Sequence, residues 1–227
     1  MKKLLSILLL SVLLCSSALA ASEFNPSSSR EAKQLGLECF KLCAFGAEYN
    51  SSTSLLTRWE ETVKIYVEGS PSKADMETLD DFIEECSWKC PNMPALERVY
   101  DKTKANIVLY YGPLNTLTQH IDNYTEGNWG YFTYWYSDYR RVRGQIVIAT
   151  DVTNQKQRNH LLKEELVGVL GLSNDHKMYT DSILYAPWTE TQQLSEVDWI
   201  MLNMLYHRTV ACGMSSDNVC ALLQQHF

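Results

Sequence analysis

The stretch of sequence that decides the fold reads HLLKEELVGVLGLSNDH and covers residues 160–176. As far as residue 170, its apolar residues recur at the spacing of three and four that places them on one face of an α-helix. Asn154 or Thr153, a few residues upstream, offers a side chain of the kind that caps a helix N-terminus, and Gly171 is the residue type that most often ends a helix. The stretch therefore predicts a helix that ends at Gly171, after which the chain reverses direction.

The sequence on either side of this helix alternates between strand and helix patterns. Four strands are predicted, at residues 62–68, 107–111, 131–136 and 145–150. Three further helices are predicted, at residues 27–46, 72–91 and 195–205. A basic turn at residues 139–143 is expected to join the last two strands. This order of elements predicts an α+β fold with a mostly continuous sheet.

The first residues have the three-part pattern of a secretory signal peptide. A charged start precedes an apolar run at residues 4–14 and a small-x-small ending at residues 18–20. We therefore predict a signal peptide at residues 1–20, a mature chain that begins at Ala21, and a periplasmic or secreted location. No later segment has the roughly 18 uninterrupted apolar residues of a transmembrane helix, so no membrane span is expected.

The charge of the chain argues against two classes of partner. The 20 basic residues less Lys2 and Lys3 leave 18 against 27 acidic residues, a net charge of −9 for the predicted mature chain. Nucleic acids and anionic membranes attract proteins with the opposite balance. We therefore expect no nucleic-acid partner.

Six cysteines follow the predicted cleavage site, and an even number in an oxidising compartment favours disulfides over metal ligands. Residues four apart share a helix face, so two helices that each carry a Cys-x3-Cys pair can be joined twice if they lie side by side. The predicted pairs are Cys39 with Cys90, Cys43 with Cys86, and Cys212 with Cys220.

The segment from Trp129 to Tyr139 is unusually aromatic, with seven aromatic residues in eleven positions. Alternating aromatic residues in a strand most often pack against a sheet face. We favour that interpretation over a ligand groove, which the same pattern also allows.

The stretch at 160–176 resembles the active-site helix of the metzincin zinc peptidases, whose pattern is H-E-x-x-H-x-x-G-x-x-H. Glu165 matches the glutamate of that pattern and Gly171 matches its glycine. The three positions of the zinc-binding histidines hold Glu164, Gly168 and Asn174 instead.

The resemblance continues beyond the helix and covers residues 58–207. Residues 182–185 are similar to the tight turn beneath the metal, with Leu184 in place of its methionine, and residues 194–206 are similar to the C-terminal helix of matrix metalloproteases. The run from Glu164 to Asp175 also resembles an exported bacterial domain family of undefined function. The resemblance implies an N-terminal helical segment at 21–57 and, at 58–227, a metzincin-like domain with a mixed sheet, an active-site-type helix, a Met-turn-like segment and a C-terminal helix.

The missing histidines decide what this resemblance implies for function. Because Gly168 has no side chain to donate, the implied protein is a non-catalytic metzincin-like domain without a cofactor. Such a domain is expected to bind a protein or peptide partner through the former substrate cleft, beside Leu184, Tyr185 and Trp135. For Gly168, inside the helix, an alanine is expected to be neutral or stabilising.

The alternative is a metallopeptidase with an atypical zinc site. His160 and Glu164 are four residues apart on one helix face, and His176 follows the turn at Gly171. These three residues are the candidate ligands, and Glu165 is the candidate general base. A third possibility is a structural accessory protein of an envelope assembly.

Overall fold

The structure is a computed structural model, and it describes residues 29–45 and 55–227. The predicted signal peptide and its cleavage site lie outside these residues. No helix in the described part of the chain is long and apolar enough to cross a membrane.

The described residues form five α-helices and five strands, which confirms the predicted α+β class. In chain order they are α1 (Ser29–Ala44), β1 (Val63–Gly69), α2 (Lys73–Lys89), β2 (Leu96–Val99), β3 (Ile107–Gly112), β4 (Gly130–Ser137), β5 (Arg140–Ala149), α3 (Gln155–Leu170), α4 (Glu196–Leu205) and α5 (Ser216–His226). Two short 3₁₀ helices, Lys102–Lys104 and Leu114–Gln119, flank β3.

The five strands form one mixed sheet in the order β2-β1-β3-β5-β4. All neighbours are parallel except β4, which runs antiparallel to β5. Within the described residues β4 pairs on one side only, so it forms an edge of the sheet.

A two-residue turn, Asp138 and Tyr139, connects β4 to β5. Both residues have positive φ, 50° and 63°, as in the tight hairpin turns that match the twist of the flanking strands. The predicted basic turn at 139–143 is wrong because β5 already begins at Arg140 and the arginines belong to the strand.

The helix that decides the fold begins and ends where the sequence predicts. The side chain of Asn154 accepts a hydrogen bond from the backbone N–H of Gln157, and the side chain of Gln157 accepts one from the backbone N–H of Asn154. Two N–H groups at the start of the helix are thereby satisfied. At the other end Gly171 has a φ of 145°, which a residue with a side chain rarely adopts. Helix α3 packs on β4 and β5, and α2 packs against α3.

The structure joins none of the six described cysteines by a disulfide, which corrects the predicted pairing. The prediction required α1 beside α2, but α1 packs mainly on α4 while α2 packs on α3. Cys39, Cys43, Cys86 and Cys90 are therefore buried in the core as thiols. The loop expected between Cys212 and Cys220 is instead partly helical, since α5 begins at Ser216. The predicted pair at its ends is not bonded.

Candidate functional site

A cleft of about 450 Å³ opens where α3 faces the edge strand β4. Its size falls within the range of about 300–1,000 Å³ that is usual for ligand sites, and it combines apolar walls with a few polar groups. The lining residues are Gly127, Asn128, Trp129, Gly130, Tyr131, Phe132, Tyr134, Gln157, Leu161, Glu164, Glu165, Ser173, Asp175, Ala186 and Trp188.

One wall of the cleft is a row of aromatic rings on alternate residues of β4, which share one face of the sheet. The rings of Phe132 and Tyr134 stack, with centroids 6.3 Å apart and an angle of 14° between their planes. At the mouth, Trp129 and Trp188 meet edge to face at 5.6 Å, and 36% and 52% of their surfaces are exposed. The aromatic segment therefore both packs the sheet and lines a groove.

Two glycines bring the strand and the helix unusually close. A Cβ atom at Gly168 would lie 2.5 Å from Cε1 of Phe132 and 2.8 Å from its Cζ. A Cβ atom at Gly130 would lie 2.6 Å from Oε1 of Glu165. Since atoms in contact lie about 3.5–4.0 Å apart, only glycine permits either approach without movement. Phe132 therefore packs directly on the backbone of α3.

The ring of Phe132 occupies the space beside Gly168, which stands at the position of the second zinc-binding histidine in the metzincin pattern. Of the three positions, Glu164 lines the cleft, Gly168 lies under the ring of Phe132, and Asn174 is turned away, with its Nδ2 donating to the carbonyl of Leu42 at 3.1 Å. These residues do not form a zinc site.

The alternative ligand set is brought together only in part. Nε2 of His160 lies 3.6 Å from Oε2 of Glu164, and its Nδ1 is hydrogen-bonded to the carbonyl of Thr191 at 3.0 Å. Burial lowers the pKa of His160 below its usual value. His176 belongs to a different network, and among the described residues no group of three or more His, Cys, Asp or Glu side chains is arranged to hold a metal. The three candidate ligands are therefore not brought together as one zinc site in the described structure.

The network that contains His176 is a buried chain of hydrogen bonds behind the cleft. Nδ1 of His176 accepts from the backbone N–H of Met178, so Nε2 carries the proton and donates to Oγ of Ser182 at 3.0 Å. Ser182 in turn donates to Asp198. Burial lowers the pKa of His176 to about 4 and raises that of Asp198, so the histidine is neutral at pH 7.

This chain of Ser, His and Asp has a structural role. Asp198 also accepts from the backbone N–H groups of Ile183 and Ser195, and so ties the loop after α3 to the start of α4. Because the Ser182 proton is directed to Asp198 rather than to the histidine, and because Ser182 is fully buried, the arrangement is not that of an activated nucleophile.

The three residues that the resemblance places in the cleft lie elsewhere. Leu184 is buried in the core, and Tyr185 forms a bridge with the backbone of His176. Trp135 lies on the opposite face of β4, where the guanidinium of Arg143 stacks on its ring at 4.2 Å. Of residues 182–188, only Ala186 and Trp188 line the cleft. Glu165, the candidate base, does line it.

Arg141 is a residue of the site that the sequence did not reveal. It lies on β5 with only 3% of its surface exposed. Its guanidinium donates to the carbonyls of Gly168 and Val169, at 2.7 and 2.9 Å, and to Oγ of Ser173 at 2.6 Å. The same group stacks on the ring of Tyr134 at 3.6 Å. Arg141 thus fixes the C-terminal end of α3 and two residues of the cleft.

Comparison with known proteins places this chain in a family. Residues 37–225 match the family described as "Protein of unknown function (DUF2927)". The chain belongs to this family. The DUF2927 domain begins inside α1 and ends inside α5, so it includes the sheet, α3 and the cleft. The expectation of an uncharacterised domain family is confirmed. No curated protein matches the chain.

Proposed function

We propose that this DUF2927 domain is a non-catalytic, metzincin-like exported domain that binds a peptide segment of a partner protein. The peptide lies along β4 and inserts one side chain into the cleft. The observation that carries the proposal is the packing of the Phe132 ring on Gly168. In a zinc peptidase of this pattern, position 168 would hold a zinc-binding histidine. Here an apolar ring fills the space beside it.

The edge position of β4 supports peptide binding. An extended peptide can add to an exposed sheet edge through backbone hydrogen bonds, while alternate side chains enter pockets beside the strand. Strand β4 is eight residues long and is the last strand of the described sheet. The cleft lies on the face of β4 toward α3, where it can receive one of those side chains.

The arrangement of the elements supports the metzincin-like relationship. The described order is strand, helix, four sheet strands and a buried helix ended by glycine, which is the order that the resemblance implies with β2 added. Glu165 of that helix faces the edge strand. A function for such a domain rests on its cleft and not on its fold, since one fold serves many functions.

The competing proposal, a metallopeptidase with an atypical zinc site, is favoured by one observation. His160 and Glu164 approach within 3.6 Å and Glu165 lines the same cleft. Elemental analysis of the purified mature protein tests it directly. Stoichiometric zinc that is lost on His160→Ala, together with chelator-sensitive peptidase activity, would replace the non-catalytic proposal.

The peptide proposal is tested by selecting binders from a displayed library of random seven-residue peptides on the mature protein. The selected peptides are then measured by fluorescence anisotropy against Trp188→Ala, a change at the cleft mouth, and Trp88→Ala, a change on α2. Both tryptophans are more than half exposed, at 52% and 62%, so neither change should unfold the protein. We expect Trp188→Ala alone to weaken binding at least about tenfold, as for an aromatic residue central to an interface. Equal effects of the two changes would refute a role for the cleft.

A further inference from the structure

We propose that Cys86, Cys90 and Met93 form a binding site for a soft metal ion, copper(I). The site lies at the C-terminal end of α2 and in the turn that follows it. None of the three residues lines the cleft between α3 and β4, so this site and the peptide cleft can be tested separately.

The three side chains share one cavity. A cavity of about 430 Å³ lies between the end of α2 and strand β2, and both cysteines and the methionine line it. Cys86 and Cys90 are each only 1% exposed. The exposed residues Glu84 and Ser87 line the same cavity, so it reaches the surface and gives an ion a path to the thiols.

The backbone at the end of α2 brings the three residues together. The N–H of Cys90 donates to the carbonyl of Cys86 at 3.0 Å, so the two cysteines lie one helical turn apart. Residues at this spacing have Cβ atoms about 5–6 Å apart, which allows two sulfur atoms to converge on one ion. The chain then reverses at Pro91, because the N–H of Met93 donates to the carbonyl of Cys90 at 3.0 Å and closes a four-residue turn.

The chemistry of the donors selects the ion. Thiolate and thioether sulfur are soft ligands, and together they favour copper(I), which accepts a low coordination number. A structural zinc site is instead completed by four ligands from cysteine, histidine or carboxylate side chains. No group of three or more such side chains among the described residues is arranged to hold a metal. Two cysteines and one methionine therefore suit copper(I) better than zinc.

Binding of the ion must displace the thiol protons. Burial raises the pKa of both thiols, that of Cys90 to about 12, so both are protonated at pH 7 in the metal-free protein. Copper(I) forms a bond to each cysteine sulfur as the two protons pass to solvent, and it accepts a lone pair from the Met93 sulfur without further proton loss. One positive ion and two thiolates leave one negative charge. The ammonium group of Lys89, which favours the thiolate of Cys86, helps to balance that charge.

The second Cys-x3-Cys pair shows that the spacing alone does not make a site. Cys39 and Cys43 on α1 are fully buried, and neither lines this cavity or the cleft. The sulfur of Cys39 lies 3.8 Å from Nδ1 of His176. A buried cysteine of this kind packs as a small apolar side chain. Cys39 is therefore the matched control for Cys86, since each is the first cysteine of a buried pair on a helix.

The test titrates copper(I) into the reduced mature protein under nitrogen, in competition with bicinchoninate, whose copper(I) complex is coloured. We expect one ion to bind per chain. Loss of even an outer-shell partner of a metal ligand costs about 10–100-fold in metal affinity, so Cys86→Ala and Cys90→Ala should each weaken binding at least about 100-fold. Cys39→Ala should leave the affinity unchanged.

Met93→Leu tests the third ligand in a variant that should keep its fold, because leucine and methionine have similar volumes. We expect this change to weaken copper(I) binding at least about tenfold. X-ray absorption at the copper edge should show three sulfur neighbours in the parent protein and one fewer in Met93→Leu.

Circular dichroism and urea denaturation of each variant separate loss of the site from loss of the fold. A parent protein that binds no copper(I), or equal effects of Cys86→Ala and Cys39→Ala, overturns the proposed site. If a cysteine variant does not fold, Met93→Leu decides, and unchanged affinity and sulfur coordination in that variant overturn the assignment.

Discussion

The contact between Gly168 and Phe132 predicts that Gly168→Ala stabilises or destabilises the protein depending on the residue at position 132. Gly168 lies inside α3, and alanine is preferred over glycine in a helix interior by about 1 kcal/mol. In this structure, however, the three atoms nearest to a Cβ at Gly168 all belong to Phe132, at 2.5, 2.8 and 2.9 Å. The expectation from sequence, that Gly168→Ala is neutral or stabilising, is therefore corrected.

The net effect follows from two opposing contributions. The added methyl group must move the ring by about 1 Å to reach a contact distance of about 3.5–4.0 Å. Overpacking of this kind costs about 1–3 kcal/mol, against a gain of about 1 kcal/mol from helix propensity. We expect Gly168→Ala to lower the free energy of unfolding by about 1 kcal/mol.

A double-mutant cycle with Phe132→Ala isolates the contact. Urea denaturation followed by circular dichroism gives the free energy of unfolding for the parent, both single variants and the double variant. In the Phe132→Ala background the methyl group meets no ring, so Gly168→Ala should raise the free energy of unfolding by up to about 1 kcal/mol. If Gly168→Ala is stabilising in both backgrounds, the ring does not pack on Gly168, and the argument against a zinc site loses its main support.

Three further predictions concern other parts of the domain. Gly171→Val should destabilise by about 1–3 kcal/mol in denaturant melts, because Gly171 has a φ of 145° and a side chain there would meet α4; parental stability would mean that α3 does not end there. Because the pKa of His176 falls from 6.5 to about 4 on folding, the unfolded chain binds this proton more readily between those pH values. The free energy of unfolding should therefore fall by roughly 3 kcal/mol from pH 6.5 to pH 4 in denaturant titrations, less the opposing effect of the raised pKa of Asp198; the same pH dependence in a His176→Asn variant would contradict a buried neutral imidazole. Thiol labelling of the mature chain without reductant should modify the partly exposed Cys212 and Cys220 in the native protein and six thiols after unfolding, whereas each disulfide would remove two.

The sequence predicted the parts of the fold that depend on local signals. Helix α3 was predicted in place because its apolar spacing, its cap at Asn154 and its terminal Gly171 all act within a few residues. The four-residue strand β2 and helix α5 were not predicted. Strand β2 has only Leu96 buried, so it shows almost no alternation, and α5 buries only Val219 and Leu223.

The predictions that failed required knowledge of which elements are neighbours. The disulfide prediction placed α1 beside α2, and nothing in the Cys-x3-Cys spacing reveals that α1 packs on α4 instead. The turn prediction took the arginines after Tyr139 as a loop because charge usually marks exposure. It did not allow for a two-residue turn formed by residues other than glycine. Positive φ at Asp138 and Tyr139 costs backbone energy. The stacking of the Tyr136 and Tyr139 rings helps to offset that cost.

Arg141 explains why a cleft of this kind cannot be identified from motifs alone. A charged residue within a basic run is ordinarily solvated, yet here the hairpin directs one arginine of three inward. The β-bulge between the pairs Trp135–Arg143 and Tyr136–Arg141 breaks the alternation of the strand, so Arg141 and Arg143 face opposite sides. Once buried, its planar group joins the carbonyls of α3, the hydroxyl of Ser173 and the ring of Tyr134, which belong to three separate segments. Burial lowers its pKa, but this charge is not paired with a carboxylate; it is held by carbonyls at the negative end of a helix. The hairpin thus supplies the edge strand and, through one buried arginine, also holds the end of the helix that faces it.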